Sequence, residues 1–280
     1  MPQRGRPQRD RSQRERSDKV RAKKFLGQHF LHDQRAAQKI VDALDLPAEK
    51  NPTLEIGPGM GVLTQYLVKK EKVDLKVIEI DRDSVKYLHT HYPQLSDRII
   101  EGDFLDLDFD KLFEGKFSII GNFPYNISSQ IFFKVLEQKN KVDQVVCMLQ
   151  KEVADRIAEK QGSKTYGILS VLLQAFFDVK LMFKVPPGAF SPPPKVMSAV
   201  IRLQRNKVET LPCDEVLFFQ VVKQGFNNRR KTLRNALKNL NLTEAITALP
   251  LLDQRAEQLS VDQFIFLTQQ IAASRGVATG

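Results

Sequence analysis

Leu54-Glu55-Ile56-Gly57-Pro58-Gly59-Met60-Gly61 closes the short apolar run Thr53–Ile56 on three glycines at alternate positions. Glycine lacks a Cβ, so the chain can turn tightly there and a ligand can lie against the main chain. Leu63, Tyr66 and Leu67 follow at helical spacing, so the stretch reads as a strand, a loop and a helix, the opening of a parallel α/β unit. Further strands are expected at Lys76–Ile80, Arg98–Ile100, Phe117–Ile120 and Gln144–Met148, with Ile131 and Val135 at helical spacing between the last two. Two longer segments, Leu169–Val185 and Val196–Leu203, read as strands on either side of the proline-rich Pro186–Pro194. Proline lacks a donor and resists both helix and ladder, so that stretch is expected to be an ordered loop. Gln204–Pro212 is polar and reads as a linker. Beyond it Leu217-Val221, Leu233-Leu237, Ile246-Leu249 and Phe264-Leu267-Ile271 read as helices. No internal repeat is visible. The expected architecture is an α/β domain followed by a small all-helical one.

Composition narrows the class. Of 280 residues, 42% are hydrophobic and 27% charged, enough apolar material for a large core. No run reaches the ~18 apolar residues of a membrane-spanning helix. Cys147 and Cys213 form neither a disulfide framework nor a paired-cysteine metal site, and such usage fits a reducing, cytoplasmic setting. The formal charge of +10 is unevenly placed. Residues 1–24 hold ten basic and three acidic side chains, residues 25–199 hold 22 and 23, and residues 200–280 hold 11 and 7. The first stretch has only Met1, Val20 and Ala22 as apolar side chains, so a disordered basic arm is expected over residues 1–22. It has no apolar core for a secretory signal, and Asp10, Glu15 and Asp18 argue against an organelle transit peptide. The surplus points to a polyanion held from the two ends of the chain.

The strand ends carry the chemistry. Glu79 ends the strand after the glycine loop, 22 residues beyond Gly57, where a carboxylate can accept both hydroxyls of a ribose. Two cofactors fit this far, a nicotinamide dinucleotide and S-adenosylmethionine. The dinucleotide spacing G-x-G-x-x-G is broken by Met60 and Gly61, and Glu55 just before the loop suits a sulfonium or ammonium group. Asp103, in Glu101-Gly102-Asp103 after the third strand, suits an exocyclic adenine amine of the cofactor, or simply caps its loop. At the fourth strand end Gly121-Asn122-Phe123-Pro124-Tyr125-Asn126 is the most informative run. The Asn122 side-chain carbonyl and the Pro124 backbone carbonyl can both accept from an adenine N6 amine. Tyr125 offers a stacking face worth ~1–3 kcal/mol.

At these residues the chain resembles the KsgA family of small-subunit ribosomal RNA adenine dimethyltransferases, over about residues 23–275. The motifs are Lys24–Leu31, Glu55–Gly61, Val77–Asp81, Glu101–Asp103, Asn122–Tyr125, Leu149–Val153, Val185–Val196 and Phe226–Asn235. The resemblance implies a class I methyltransferase fold, Rossmann-like with a seven-stranded, mostly parallel sheet, over residues 23–203, and a helical RNA-binding domain over 204–280. It implies S-adenosylmethionine as cofactor, with contacts from His29, Leu31, Gly57, Gly59, Glu79, Asp103 and Asn122. It implies dimethylation of N6 on two adjacent adenosines near the 3′ end of the small-subunit RNA, with Asn122, Pro124 and Tyr125 catalytic and the small ribosomal subunit as partner of a single copy of the chain. His29 stands where bacterial relatives often have Asn, and Phe123 replaces the usual Leu or Ile, a larger group expected to reshape the base pocket.

Phe226–Asn239 carries Arg229, Arg230, Lys231, Arg234 and Lys238 with no acidic residue. Arg230 and Arg234 are expected one helical turn apart on a phosphate-binding ridge, with Lys151 adding to that surface. No histidine, cysteine or carboxylate cluster calls for a metal, and Ser128 and Ser129 lack the base that a nucleophile needs. The rival readings are a large-subunit RNA methyltransferase of the macrolide-resistance type, a non-catalytic assembly or transcription factor on the same fold, and a nicotinamide oxidoreductase. The Phe226–Asn235 motif and the proline loop favour the small-subunit group. Glu79, Asp103 and the Asn122–Tyr125 run favour an enzyme.

Overall fold

A computed structural model describes residues 20–276, so all but the last three residues of the expected arm lie outside the described residues. Strands covered on both faces carry unbroken apolar runs rather than alternation, and the sheet is built from such strands. In chain order they are β1 (Phe30–Leu31), β2 (Asn51–Ile56), β3 (Val73–Glu79), β4 (Ile99–Glu101), β5 (Phe117–Asn122), β6 (Val142–Gln150), β7 (Phe177–Val185), β8 (Phe190–Ser191) and β9 (Ser198–Arg205). Seven of them form one sheet in the order β4-β3-β2-β5-β6-β9-β7. Its pairings are parallel except at β9, which runs antiparallel to both neighbours. Two-residue strands β1 and β8 pair separately and antiparallel, Phe30 opposite Ser191.

The chain winds outward in one direction through β2, β3 and β4 and in the other through β5 and β6. This reversal leaves a crevice between the carboxyl ends of β2 and β5, where open α/β sheets bind ligands. The two strands meet closely there: Ile56 pairs with Gly121, and a Cβ on Gly121 would lie 2.6 Å from the Ile56 carbonyl oxygen. Gly57, the first residue after β2, and Asn122, the last of β5, follow this pair and both border the cleft.

The expected strands are present with shifted ends: most gain one to three residues, while Ile80, Arg98, Val196 and Met197 fall outside the strands expected to hold them. One expectation is corrected: Leu169–Val185 is not a single strand. Ile168–Gln174 is a helix, and only Phe177–Val185 is extended. Leu169 to Leu173 are all buried, Ser170 included, so the sequence there shows no alternation that would separate helix from strand. The linker expected at Gln204–Pro212 also begins later, because Gln204 and Arg205 complete β9. Arg205 then ties the following loop to the body. Its guanidinium donates to the carbonyls of Lys139 (2.9 Å), Phe176 (2.8 Å) and Val208 (2.5 Å) and lies over the Phe176 ring.

The two faces of the sheet bury separate cores. One gathers Ile40, Leu63, Leu67 and Val146 beneath the helix Gln34–Asp42. The other runs without interruption from Leu54 and Ile119 through Leu172 and Leu173 to Phe218, Val222, Phe264 and Leu267 on the C-terminal helices Glu215–Asn227 and Val261–Ser274. Asp214 caps the first of these helices through a bond from Leu217 N, and Ser260 caps the second through Gln263 N. Because the C-terminal helices complete a core that begins in the sheet, Phe218→Ala is expected to cost about 3–5 kcal/mol. The loss should appear as a lower urea midpoint in one transition by circular dichroism. Early melting of the C-terminal helices alone would contradict the shared core.

Candidate active site

Gly57 and Gly59 have φ of +63° and +56°, which fold the loop after β2 back across the sheet edge. A Cβ on Gly59 would stand 3.0 Å from the Phe30 ring, so glycine there also admits the segment that covers the loop. Glu79 holds the loop from the neighbouring strand. Its carboxylate is 4% exposed and accepts from Gly59 N and from Asp81 N, both at 2.9 Å. Burial raises its pKa above the ordinary carboxylate value, and these bonds oppose the rise.

Glu55 lies beneath the loop, 1% exposed, and accepts from the Thr64 hydroxyl at 2.7 Å. Burial, with the Glu79 charge adding to it, pushes its pKa up to about 8. Asp103 caps the turn after β4, accepting from Leu105 N at 2.9 Å, and also lines the cleft, so its two anticipated positions coincide.

At the end of β5 the Asn122 amide donates through Nδ2 to the His29 carbonyl at 3.0 Å. Only the NH2 end can make that contact, which turns the Oδ1 acceptor the other way. The Pro124 carbonyl takes one bond from Ile127 N at 3.3 Å and keeps a second lone pair. Tyr125 is anchored by its hydroxyl, 2.5 Å from Ser198 Oγ on β9, and its ring stacks on His29 at 5.5 Å. Burial pushes the phenol upward, so the ring carries no charge at neutral pH. Phe123 borders the cleft, with its side chain buried and its ring 5.9 Å from that of Phe132.

These groups line a cleft of about 230 Å³. His29, Gly57, Gly59, Glu79, Asp103, Asn122, Pro124 and Tyr125 all border it. Leu31 borders a smaller adjoining cavity with Glu55, Gly57 and Asn122. A Cβ on Gly57 or Gly102 would meet no atom within 4 Å, so the main chain at both strand ends is left open as a cradle. With a buried acceptor at Glu79 and a second carboxylate at Asp103, that cradle fits an adenosyl group.

Of four further features of the site, Ser198 and Lys23 carried no readable sign in the sequence, whereas Ile80 and Leu26–Phe30 fall within the Val77–Asp81 and Lys24–Leu31 motifs. Ile80, unusual in being half exposed for an isoleucine, borders the cleft next to Glu79. Ser198 reaches Tyr125 from 73 residues away. Leu26–Phe30 forms one wall, with Gly27 packed so tightly that a Cβ would sit 2.7 Å from Asn126 Oδ1. Lys23, just before that wall, pairs with Asp81 and Asp83. A side chain that meets its partner only after long-range folding leaves no local periodicity.

The basic residues lie apart from the cleft lining. Arg230 and Arg234 do not share a helix, correcting the expected ridge, because one helix ends at Asn227 and the next starts at Leu233. Arg234 bonds Asp253 and the Thr247 carbonyl, and Arg229 donates to the Tyr166 carbonyl at 2.9 Å. Lys151 pairs with Asp155. Arg230 and Lys231 are exposed in the turn between the helices. Among the described residues no group of three or more potential ligands stands together for a metal, and no helix is long and apolar enough to cross a membrane.

The sheet order, the glycine loop after β2 and the carboxylate ending β3 define a Rossmann-like class I methyltransferase fold. The model of the ribosomal RNA adenine dimethylase family matches residues 19–273, and the chain belongs to that family. The ribosomal RNA small subunit methyltransferase A of Cytophaga hutchinsonii is 58% identical over 247 residues, 88% of this chain and 96% of that protein. The protein of the same description from Bacteroides thetaiotaomicron is 55% identical over 256 residues, 91% of this chain and 95% of that one. Among solved structures, a dimethyladenosine transferase from Plasmodium falciparum superposes with a TM-score of 0.73 at 24% identity, covering 90% of this chain and 100% of that one. The 23S rRNA methyltransferase ErmE gives 0.62 at 24% identity, covering 86% and 100%. At that identity the likeness is one of fold, and the same fold accompanies both descriptions.

The pKa of Glu55 makes stability depend on pH. Native Glu55 keeps its proton up to about pH 8, whereas in the unfolded chain it loses it near the ordinary value of 4.5. The unfolded state therefore gains by ionising between these values, and stability falls as pH rises through that window. Glu55→Gln keeps an acceptor for Thr64 and removes the titration. Chemical denaturation at pH 5 and pH 8 should show the wild type losing stability relative to the variant, on the order of a few kcal/mol. Parallel pH profiles would place the titration elsewhere.

Proposed function

We propose that this chain, acting in the cytoplasm as a single copy, uses S-adenosylmethionine to dimethylate N6 of two adjacent adenosines near the 3′ end of small-subunit ribosomal RNA. The observation that carries the reading is the Asn122 amide, whose Nδ2 is engaged by the His29 carbonyl so that Oδ1 is left as an acceptor beside the Pro124 carbonyl. The description shared by the 52–58% identical relatives favours the small subunit over the large one.

In this reading Glu79 takes the ribose hydroxyls, Asp103 the adenine amine of the cofactor, and Gly57, Gly59, His29 and Leu31 the space between. When bound, S-adenosylmethionine supplies a methyl group activated by its sulfonium. Asn122 and Pro124 accept the two hydrogens of the target amine. An adenine N6 lone pair is conjugated with the ring and poorly nucleophilic. Acceptors placed off the ring plane draw the hydrogens with them and favour localisation of the lone pair toward the incoming carbon. Tyr125, fixed by Ser198, holds the base at the stacking distance. The remaining contribution is alignment, which an ordered site supplies without a strong base. The proton lost afterwards passes to solvent.

Asn122→Ala is expected to leave cofactor binding within about threefold of wild type by calorimetry and to lower methyl transfer to isolated small subunits by a factor on the order of a hundred or more. Transfer at the wild-type rate would remove Asn122 from the mechanism. Incubation with large subunits in place of small ones should give no incorporation; the reverse preference would favour the macrolide-resistance type of activity.

Substrate grip is assigned to the periphery, chiefly Arg230 and Lys231, with Lys151, Arg229 and Arg234 shaping the surface around them. Replacing both Arg230 and Lys231 by alanine should weaken RNA binding and reduce the slope of log affinity against log salt by about 1 to 2, measured by filter binding. An unchanged slope would move the RNA contact elsewhere.

A further inference from the structure

The wall formed by residues 23–31 crosses the mouth of the cleft as a strap fastened at both ends. At its far end β1 pairs with β8, and His29 Nδ1 donates to the Pro192 carbonyl at 2.8 Å. At its near end the Lys23 ammonium sits between two carboxylates, bonded to Asp81 and 2.8 Å from Asp83 Oδ2. Gln28 closes the loop internally. Its Oε1 accepts from Lys23 N at 2.8 Å, and its Nε2 reaches Asp81 Oδ2 at 3.4 Å.

Asp81 is an unusual anchor for a surface strap. Its side chain is 0% exposed and also takes the Ser84 hydroxyl at 3.0 Å, while its backbone N–H donates to Glu79, the carboxylate that holds Gly59. The fastening of the strap and the seat of the glycine loop thus share one residue. Between the fastenings, the strap presents the His29 carbonyl to Asn122 Nδ2. Lifting the strap would open one wall of the cleft and release the Asn122 amide to rotate.

We propose that Lys23 is a positioning residue for methyl transfer: its ammonium latches the 23–31 strap to Asp81 and Asp83, and the latched strap both walls the cofactor cleft and sets the Asn122 acceptor. This rests on the methyltransferase reading above, since it presumes a cofactor in the cleft and a role for Asn122. The latch need not touch either substrate. Removing the ammonium leaves the buried Asp81 charge uncompensated and favours a lifted strap. A cofactor that binds the latched form alone then meets fewer competent molecules, and its apparent affinity falls by that fraction. Saturating cofactor pulls the strap down again, so the defect belongs to cofactor affinity and not to the turnover step.

The test uses full-length Lys23→Met, Lys23→Arg and Asp83→Asn. For Lys23→Met, a latched fraction of about one in ten raises the dissociation constant for S-adenosylhomocysteine and the cofactor KM about tenfold. Over the same series kcat at saturating cofactor stays within about twofold, and RNA affinity is unchanged. Hydrogen exchange at residues 24–31 without cofactor should quicken in step. Lys23→Arg should restore both readouts to within about threefold, and Asp83→Asn should fall between, since the Asp81 contact survives. Unchanged exchange and cofactor affinity in Lys23→Met would overturn the latch. So would a fall in kcat that saturating cofactor does not repair, or a loss of RNA affinity at normal cofactor affinity, which would make Lys23 an RNA contact. Asn122→Ala separates the two ideas: if it transfers methyl normally the mechanism fails, whereas normal exchange in Lys23→Met beside an inactive Asn122→Ala fails the latch alone.

Discussion

The buried carboxylate of Glu79 is the interaction on which the site depends. One of its oxygens holds the glycine loop through Gly59 N and the other holds Asp81 N, so a single side chain fixes the two segments that follow β2 and β3. Placing a carboxylate where water cannot reach it is costly, and two main-chain donors are what make the position tolerable. Each carboxylate oxygen keeps further acceptor capacity, which is the resource a ribose would use. From Asp81 the same order passes to Lys23 and Gln28, through the strap to the His29 carbonyl, and from there to Asn122. The glycine loop and the Asn122 amide are thus joined through hydrogen bonds and the short strap between them, and are not merely adjacent.

Glu79 and Asp103 border the cleft, Glu55 borders the adjoining cavity in its protonated form at neutral pH, and the Lys23–Asp81 pair lies beside them. Such a site suits a cationic cofactor and repels phosphate. A polyanionic substrate must then be held elsewhere, which agrees with a middle segment of 22 basic and 23 acidic residues between two basic ends. The exposed Arg230 and Lys231 sit in a turn after a helix that belongs to the shared core, so they are presented by a rigid base. On the proposed reading, affinity for RNA and chemistry at the amine are separable because different side chains govern them.

Local signals were legible, and long-range ones were not. The glycine loop, Glu79 and Asn122–Tyr125 could be read because a turn or strand end needs particular residues at fixed spacing. The helix Ile168–Gln174 reads as strand in the sequence because full burial erases the periodicity that separates the two. Arg230 and Arg234 were placed on one helix because spacing alone does not show where a helix stops, and the break at Asn228 to Thr232 carries no proline or glycine. Arg234 and Arg229 look like phosphate ligands in a list of charges, yet Asp253 and the Tyr166 carbonyl engage them. Ser198 and Lys23 were invisible for the complementary reason: each acts on a residue at least 58 positions away.

Methylating an amine that is a poor nucleophile is usually discussed as a need for a base, but the geometry argues for restraint of the acceptors instead. Asn122 Oδ1 is useful only while Nδ2 is occupied, because a freely rotating amide presents a donor as readily as an acceptor. The His29 carbonyl removes that choice, and Pro124 is held by its ring and by Ile127 N. In this reading the first methylation leaves one hydrogen on the amine in place of two, so during the second transfer one acceptor has no partner. Both are short and fixed rather than swept in by a long side chain. A methyl carbon does not fit between the nitrogen and an acceptor fixed at hydrogen-bond distance, so the monomethylated amine has to offer its remaining hydrogen to one acceptor and turn its methyl away from the other.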